Sequence, residues 1–218
     1  MTQSLIEPTT AAAVLVSTEP GVLARIVEPA VELALWRRQL PAGLSAWLDA
    51  LPADTLPSAR LMLPATEAAD ALHAACDASG TPRGKWRDAL VADAADIAMR
   101  FARITGSASL GLQLEPVDGD ACRRWHRDCV PLRLLTTYRG PGTEWVAPAF
   151  AAQALAVPDA PAASAQCLAA HDIAVFKGCG FTGQRHEQGI VHRSPPIAGS
   201  GVTRLVLCLN LPRDWRAP

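Results

Sequence analysis

The sequence predicts an α+β protein with a single domain spanning 1–218, in which a mainly helical region over 1–105 buttresses a β-rich jelly-roll barrel over 106–218. Two observations predict it. In the alanine-rich first part, apolar residues recur at spacings of three and four, as on the buried stripe of a helix. After residue 105 that spacing fades, and short β-prone segments bounded by Gly and Pro follow at intervals of about ten residues.

Each element has its own signal. Leu33 to Arg37 and Arg60 to Leu63 are short apolar runs that fit strands. Between them Leu44, Trp47, Leu48 and Leu51 form one helical stripe, opened by Pro41 and closed by Pro52. Thr66 and Glu67 open a second helix through Ala71, Leu72 and Ala75, which stops at Ser79-Gly80. The longest helix runs from Trp86 to Ile104, with Leu90, Ala94, Ile97, Phe101 and Ile104 on one stripe and charged residues elsewhere. Strands are expected over Ser109 to Pro116, Arg123 to Asp128, Leu132 to Tyr138, Glu144 to Val146, Ile173 to Lys177, Gly189 to His192 and Thr203 to Asn210. The Ala/Pro-rich stretch from Ala147 to Ala165 fits a loop with one helical turn.

Composition narrows the function. Of 218 residues 50% are apolar and 19% charged, so charge excess does not keep the chain unfolded. With 20 basic and 21 acidic residues there is no excess positive charge for a polyanion, and no nucleic-acid partner is expected. A local cluster of Arg123, Arg124, Arg127 and Arg133 is the exception within that balance. Pro, Glu or Arg interrupts every candidate membrane span, so no membrane partner is expected. The start lacks the basic region of a signal peptide, which makes a cytoplasmic protein with reduced thiols the expectation for its six cysteines.

Chemistry concentrates at Trp125-His126-Arg127-Asp128. On a strand, residues two apart share a face, so the His126 imidazole and the Asp128 carboxylate can reach one metal. His192, in GIVHRSPP, supplies a third ligand from a distant strand. Two histidines and one carboxylate form the facial set that leaves open positions on a non-haem Fe(II) centre. Arg204 then opens the apolar strand TRLVLCLN, where its guanidinium can pair bidentately with the remote carboxylate of a keto acid.

This order of groups resembles the Fe(II)/2-oxoglutarate-dependent dioxygenase superfamily. The longer strings CRRWHRDCVPLRLLTTYRGPGTEWV, DIAVFKG, GIVHRSPP and RLVLCLN, with LALWRR upstream, resemble an uncharacterised bacterial domain-of-unknown-function family. The resemblance implies a double-stranded β-helix of cupin type, a metal site and no known substrate. It implies Fe(II) and 2-oxoglutarate as cofactors, His126, Asp128 and His192 as metal ligands, and Arg204 as the co-substrate anchor. Related dioxygenases carry a tyrosine on the strand after the metal pair. If Leu132, Leu134, Thr136 and Tyr138 face the pocket here, the hydroxyls of Thr136 and Tyr138 join Arg204 on that carboxylate; a slip of one residue reverses the faces.

Competing assignments remain at this level. His186 beside Glu187 rivals His192, whereas His171 fits a turn entering a strand and His73 an exposed helix position. Cys122 can share the His126 face, and thiolate would favour zinc, but no Cys-x-x-Cys pair exists and Cys208 reads as core. Glu144 and Trp145 follow a Gly-Pro-Gly turn and line either the core or the mouth of the pocket; Arg193 and Ser194 are candidates to orient the ligands. The expected function is an Fe(II)- and 2-oxoglutarate-dependent oxygenase acting on a small molecule or a protein side chain. A zinc- or iron-binding cupin-like module without catalysis is the alternative.

Overall fold

In a computed structural model that describes residues 13–119, 122–181 and 189–212, the chain builds one large sheet and one small one. The first part contributes β1 (Val14–Ser17), a 3-10 helix (Pro20–Val27), β2 (Leu33–Trp36), α1 (Ala42–Ala50), β3 (Ala59–Leu63), α2 (Ala68–Ala78) and α3 (Lys85–Thr105). Then come β4 (Leu110–Val117), β5 (Leu132–Arg139), β6 (Glu144–Val146), α4 (Ala151–Ala156), β7 (Gln166–Cys167), β8 (Ile173–Lys177), β9 (Val191–Arg193) and β10 (Arg204–Asn210). The large sheet has the order β1-β2-β8-β5-β10-β4-β3, antiparallel except for the β1–β2 pair; the small sheet has the order β7-β6-β9. No helix among the described residues is long and apolar enough to cross a membrane.

The two faces of the large sheet bury different things. Leu132 and Leu134 of β5 and Leu205, Leu207 and Leu209 of β10 pack with Leu90, Ala94, Ile97 and Phe101 of α3 in the main core. Each Leu, Ile or Phe among them contributes roughly 2 kcal/mol by leaving water, and truncation of Phe101 to Ala would cost about 3–5 kcal/mol. Gly106, at φ 65, ends α3 in the left-handed conformation that glycine adopts without strain. On the opposite face Leu135, Ala174 and Phe176 pack with Leu33, Leu35, Trp145, Leu168 and Ile190 in a second apolar cluster toward the small sheet.

The structure revises several sequence expectations. Residues 123–128 form no strand: Cys122 has φ 58, and a single bridge, His126 to His192, replaces a ladder. Strand alternation therefore does not bring His126 and Asp128 together. β1, the 3-10 helix and β7 were not among the elements the sequence predicts, although the helix buries Val22, Leu23 and Ile26. Strands from the first 63 residues add to both edges of the large sheet, β1 and β2 at one end and β3 at the other.

Candidate metal centre

His192 is held from three directions. Its backbone N–H donates to the His126 carbonyl at 3.0 Å and its carbonyl accepts from the His126 N–H at 3.1 Å. Phe176 of β8 stacks on its ring with centroids 5.0 Å apart, and its Nδ1 lies 3.3 Å from the Ile190 carbonyl. His126 likewise sets Nδ1 2.8 Å from the Arg124 carbonyl. Only a protonated Nδ1 satisfies a carbonyl, so on both rings Nε2 keeps its lone pair for a metal. Trp125 fixes the approach to His126: its N–H donates to Pro158 O, its indole N–H donates to Ala160 O, and the Arg193 guanidinium sits 4.4 Å over its ring.

Asp128 arrives on a loop rather than a strand. The Cys179 N–H donates to its carbonyl at 2.9 Å, and the Gly178 N–H donates to Pro131 O at 3.0 Å. A Cβ on Gly178 would meet Val130 O at 2.2 Å and Asp128 O at 2.7 Å, so only glycine allows these two loops to approach. The carboxylate is 6% exposed. Its Oδ1 accepts from Arg133 Nη1 at 2.6 Å, whereas its Oδ2, 3.4 Å from His192 Nε2, has no hydrogen-bond partner. An orphaned carboxylate oxygen is costly in the interior unless a cation completes it. Burial lowers the His192 pKa to about 4, against the raising effect of Asp128, so at neutral pH this imidazole is uncharged. One donor atom each from His126, Asp128 and His192 lie within 4.8 Å of one another, which suits a divalent transition metal.

Arg204 stands at the far end of the same inter-sheet face. It is 2% exposed, donates from Nε to Pro141 O at 2.7 Å, and sets Nη2 3.5 Å from Thr137 Oγ1 and 3.4 Å from Thr143 Oγ1. Burial lowers its pKa to about 10, and among the described residues no carboxylate pairs with it. Thr137 lies four residues along β5 from Arg133 on the same face, about 13 Å at strand rise.

The expected faces of β5 are reversed. Tyr138 donates its hydroxyl to Asp93 of α3 at 2.7 Å, and Asp93 is held bidentately by Arg38, so Tyr138 belongs to the helix side. Thr136 pairs with Leu207, which faces the main core, and its Oγ1 is buried without a partner. Neither hydroxyl meets Arg204; Thr137 does. Leucines occupy both faces of β5, so alternation alone cannot choose between them. A bulge where Leu205 pairs with Arg139 and Val206 with Thr137 then sends Arg139 to the helix side, where it donates to Leu51 O.

The remaining candidates lie apart from the ligand group. Arg193 pairs with Glu144 at 2.6 Å, which removes Glu144 from the pocket mouth. His171, at φ 74, sits 3.4 Å from Ser45 Oγ, and no cysteine among the described residues joins the ligand set. His186 and Glu187 lie outside the described residues. Sequence reasoning missed Arg133, Gly178, Thr137, Thr143 and Phe176 as parts of the site. Arg133 carried a signal, a cation on the strand face opposite Leu132 and Leu134, and Gly178 carried one in its place directly after a strand.

A family model described as "Protein of unknown function (DUF1826)" matches residues 17–210. No curated protein matches the chain. Among solved structures, the dioxygenase for auxin oxidation from rice is similar over 95% of this chain and 86% of that one, at 17% identity and a TM-score of 0.49. The Arabidopsis thaliana dioxygenase for auxin oxidation 1, solved with 2-oxoglutarate, is similar over 95% and 93%, at 12% identity and 0.45. A prolyl-4-hydroxylase from Pseudomonas putida is similar over 90% and 100%, at 15% identity and 0.41.

Proposed function

The chain belongs to the DUF1826 family, and for this member we propose an Fe(II)- and 2-oxoglutarate-dependent oxygenase acting on a small molecule or a protein side chain. The observation that carries the proposal is the buried Asp128 carboxylate, whose Oδ2 has no hydrogen-bond partner and lies 3.4 Å from His192 Nε2, while its Oδ1 lies 3.7 Å from His126 Nε2. His126, Asp128 and His192 would hold the metal, and the two sheets would form the walls of a jelly-roll barrel backed by the helical first part. Bound Fe(II) with 2-oxoglutarate supplies oxidative decarboxylation and an oxidant for a C–H bond.

The chain's own groups account for the rest. Arg204 neutralises the remote carboxylate of the co-substrate, and the hydroxyls of Thr137 and Thr143 donate to it. Burial of this guanidinium strengthens such a pairing, and among the described residues no carboxylate already satisfies it. Phe176 and the Ile190 carbonyl fix the plane and tautomer of His192. His126 is the exposed member of the set, with its side chain 32% accessible, beside an open cleft lined by Cys122, Arg123 and Arg124. Substrate approaches from that side.

The test is metal analysis of anaerobically purified protein, followed by Fe(II), ascorbate and 2-oxoglutarate under oxygen. Iron uptake and succinate release are expected. Tight zinc with no iron uptake would instead support a metal-binding module without catalysis, and Fe(II)-loaded protein that does not bind 2-oxoglutarate would overturn the oxygenase.

A further inference from the structure

We propose that Arg133 restricts Asp128 to single-oxygen ligation and thereby keeps one coordination position of the metal open. The inference rests on the metal-centre reading above. Both carboxylate oxygens are near ligand nitrogens: Oδ1 lies 3.7 Å from His126 Nε2 and Oδ2 3.4 Å from His192 Nε2. Position alone therefore leaves the carboxylate free to chelate through both oxygens. What distinguishes them is the guanidinium, which occupies Oδ1 at 2.6 Å while Oδ2 has no partner.

The clamp is built rather than incidental. Arg133 is in β5, hydrogen-bonded between β8 and β10, so its backbone is fixed. Its Nε donates to Asn210 Oδ1 at 2.8 Å, which orients the guanidinium plane, and Asn210 Nδ2 lies 3.5 Å from Cys208 Sγ. The Arg133 side chain is 24% exposed, so its contact with the buried Asp128 is only partly screened. With three protein donors an octahedral ion retains three positions, enough for a chelating keto acid and oxygen; a two-oxygen carboxylate would leave two. Arg133 thus acts on the site through Asp128 as a positioning residue.

The probe is Mn(II), with its coordinated waters counted by electron paramagnetic resonance in oxygen-17 water. Wild-type protein, Arg133→Lys and Arg133→Met are compared, with Mn(II) affinity measured in parallel. The expected result is one coordinated water fewer in Arg133→Met, with affinity equal to or above wild type, and the wild-type count in Arg133→Lys, which retains a cationic donor. An unchanged count in Arg133→Met overturns the inference, as does a weaker affinity with the same count, which is what a purely structural role would give. Should Arg133→Met not fold, Asn210→Leu loosens the clamp while keeping the guanidinium. There a mixed population with the lower count supports the inference, and a uniform wild-type count overturns it. Wild-type protein that binds no Mn(II), Fe(II) or Co(II) would instead refute the metal centre itself.

Discussion

Gly178→Ala tests whether the meeting of two loops sets the position of Asp128. The added methyl would lie 2.2 Å from Val130 O and 2.7 Å from Asp128 O, so the 128–131 segment must retreat by about 1 Å to restore ordinary contact. That retreat stretches the hydrogen bonds from Gly178 to Pro131 and from Cys179 to Asp128, each worth about 1 kcal/mol. With the strain of overpacking, the expected loss of stability is about 2–4 kcal/mol. The displaced carboxylate also leaves the two histidines, and Fe(II) or Co(II) affinity should fall about 10- to 100-fold, as when a group that orients a ligand is lost. Isothermal titration with Co(II) at a temperature where the variant remains folded by circular dichroism separates the two effects. Wild-type affinity in folded Gly178→Ala would refute the claim that this close approach sets Asp128.

Three further outcomes are expected. Arg204→Met should leave metal affinity unchanged but weaken 2-oxoglutarate binding to the Co(II)-loaded protein at least tenfold, and unchanged co-substrate affinity in a calorimetric titration would remove the anchor. Tyr138→Phe should cost about 1–2 kcal/mol in urea denaturation by leaving Asp93 one donor short, yet leave 2-oxoglutarate affinity unaltered; a drop in that affinity would show that the tyrosine reaches the pocket after all. In metal-free protein, His192 titrates near pH 4 when folded and near pH 6.5 when unfolded, so between those values the unfolded chain binds the extra proton. Stability should fall as pH drops from about 6.5 to about 4, by roughly 3 kcal/mol, and level off from this source below. His192→Gln should lack that component, and parallel pH profiles for the two proteins would refute the shift.

The helices were legible in the sequence because their signal is local. Leu90, Ala94, Ile97 and Phe101 fall on one stripe at any orientation of the helix, and all four are buried against the sheet. The strands β4, β5, β6, β8 and β10 were legible for the same reason, within a residue or so at their ends. The segment 123–128 was not, since Trp125 and His126 form hydrogen bonds with Pro158 and His192, partners far away in sequence. His126 and Asp128 do meet, but through a loop pinned by Gly178.

By itself the sequence determined which candidate groups were available, two histidines, an aspartate and a late arginine, on an α+β chain with nearly balanced charge. It could not determine which face of β5 looks inward, because leucine alternation on both faces is compatible with either. Packing against α3 decided that. Leu132, Leu134 and Tyr138 turn to the helices, which leaves Arg133 for Asp128 and Thr137 for Arg204. The convergence of His126, Asp128 and His192, and the single unpaired oxygen among them, likewise exist only once β9 and the 128–131 loop are folded against the same sheet.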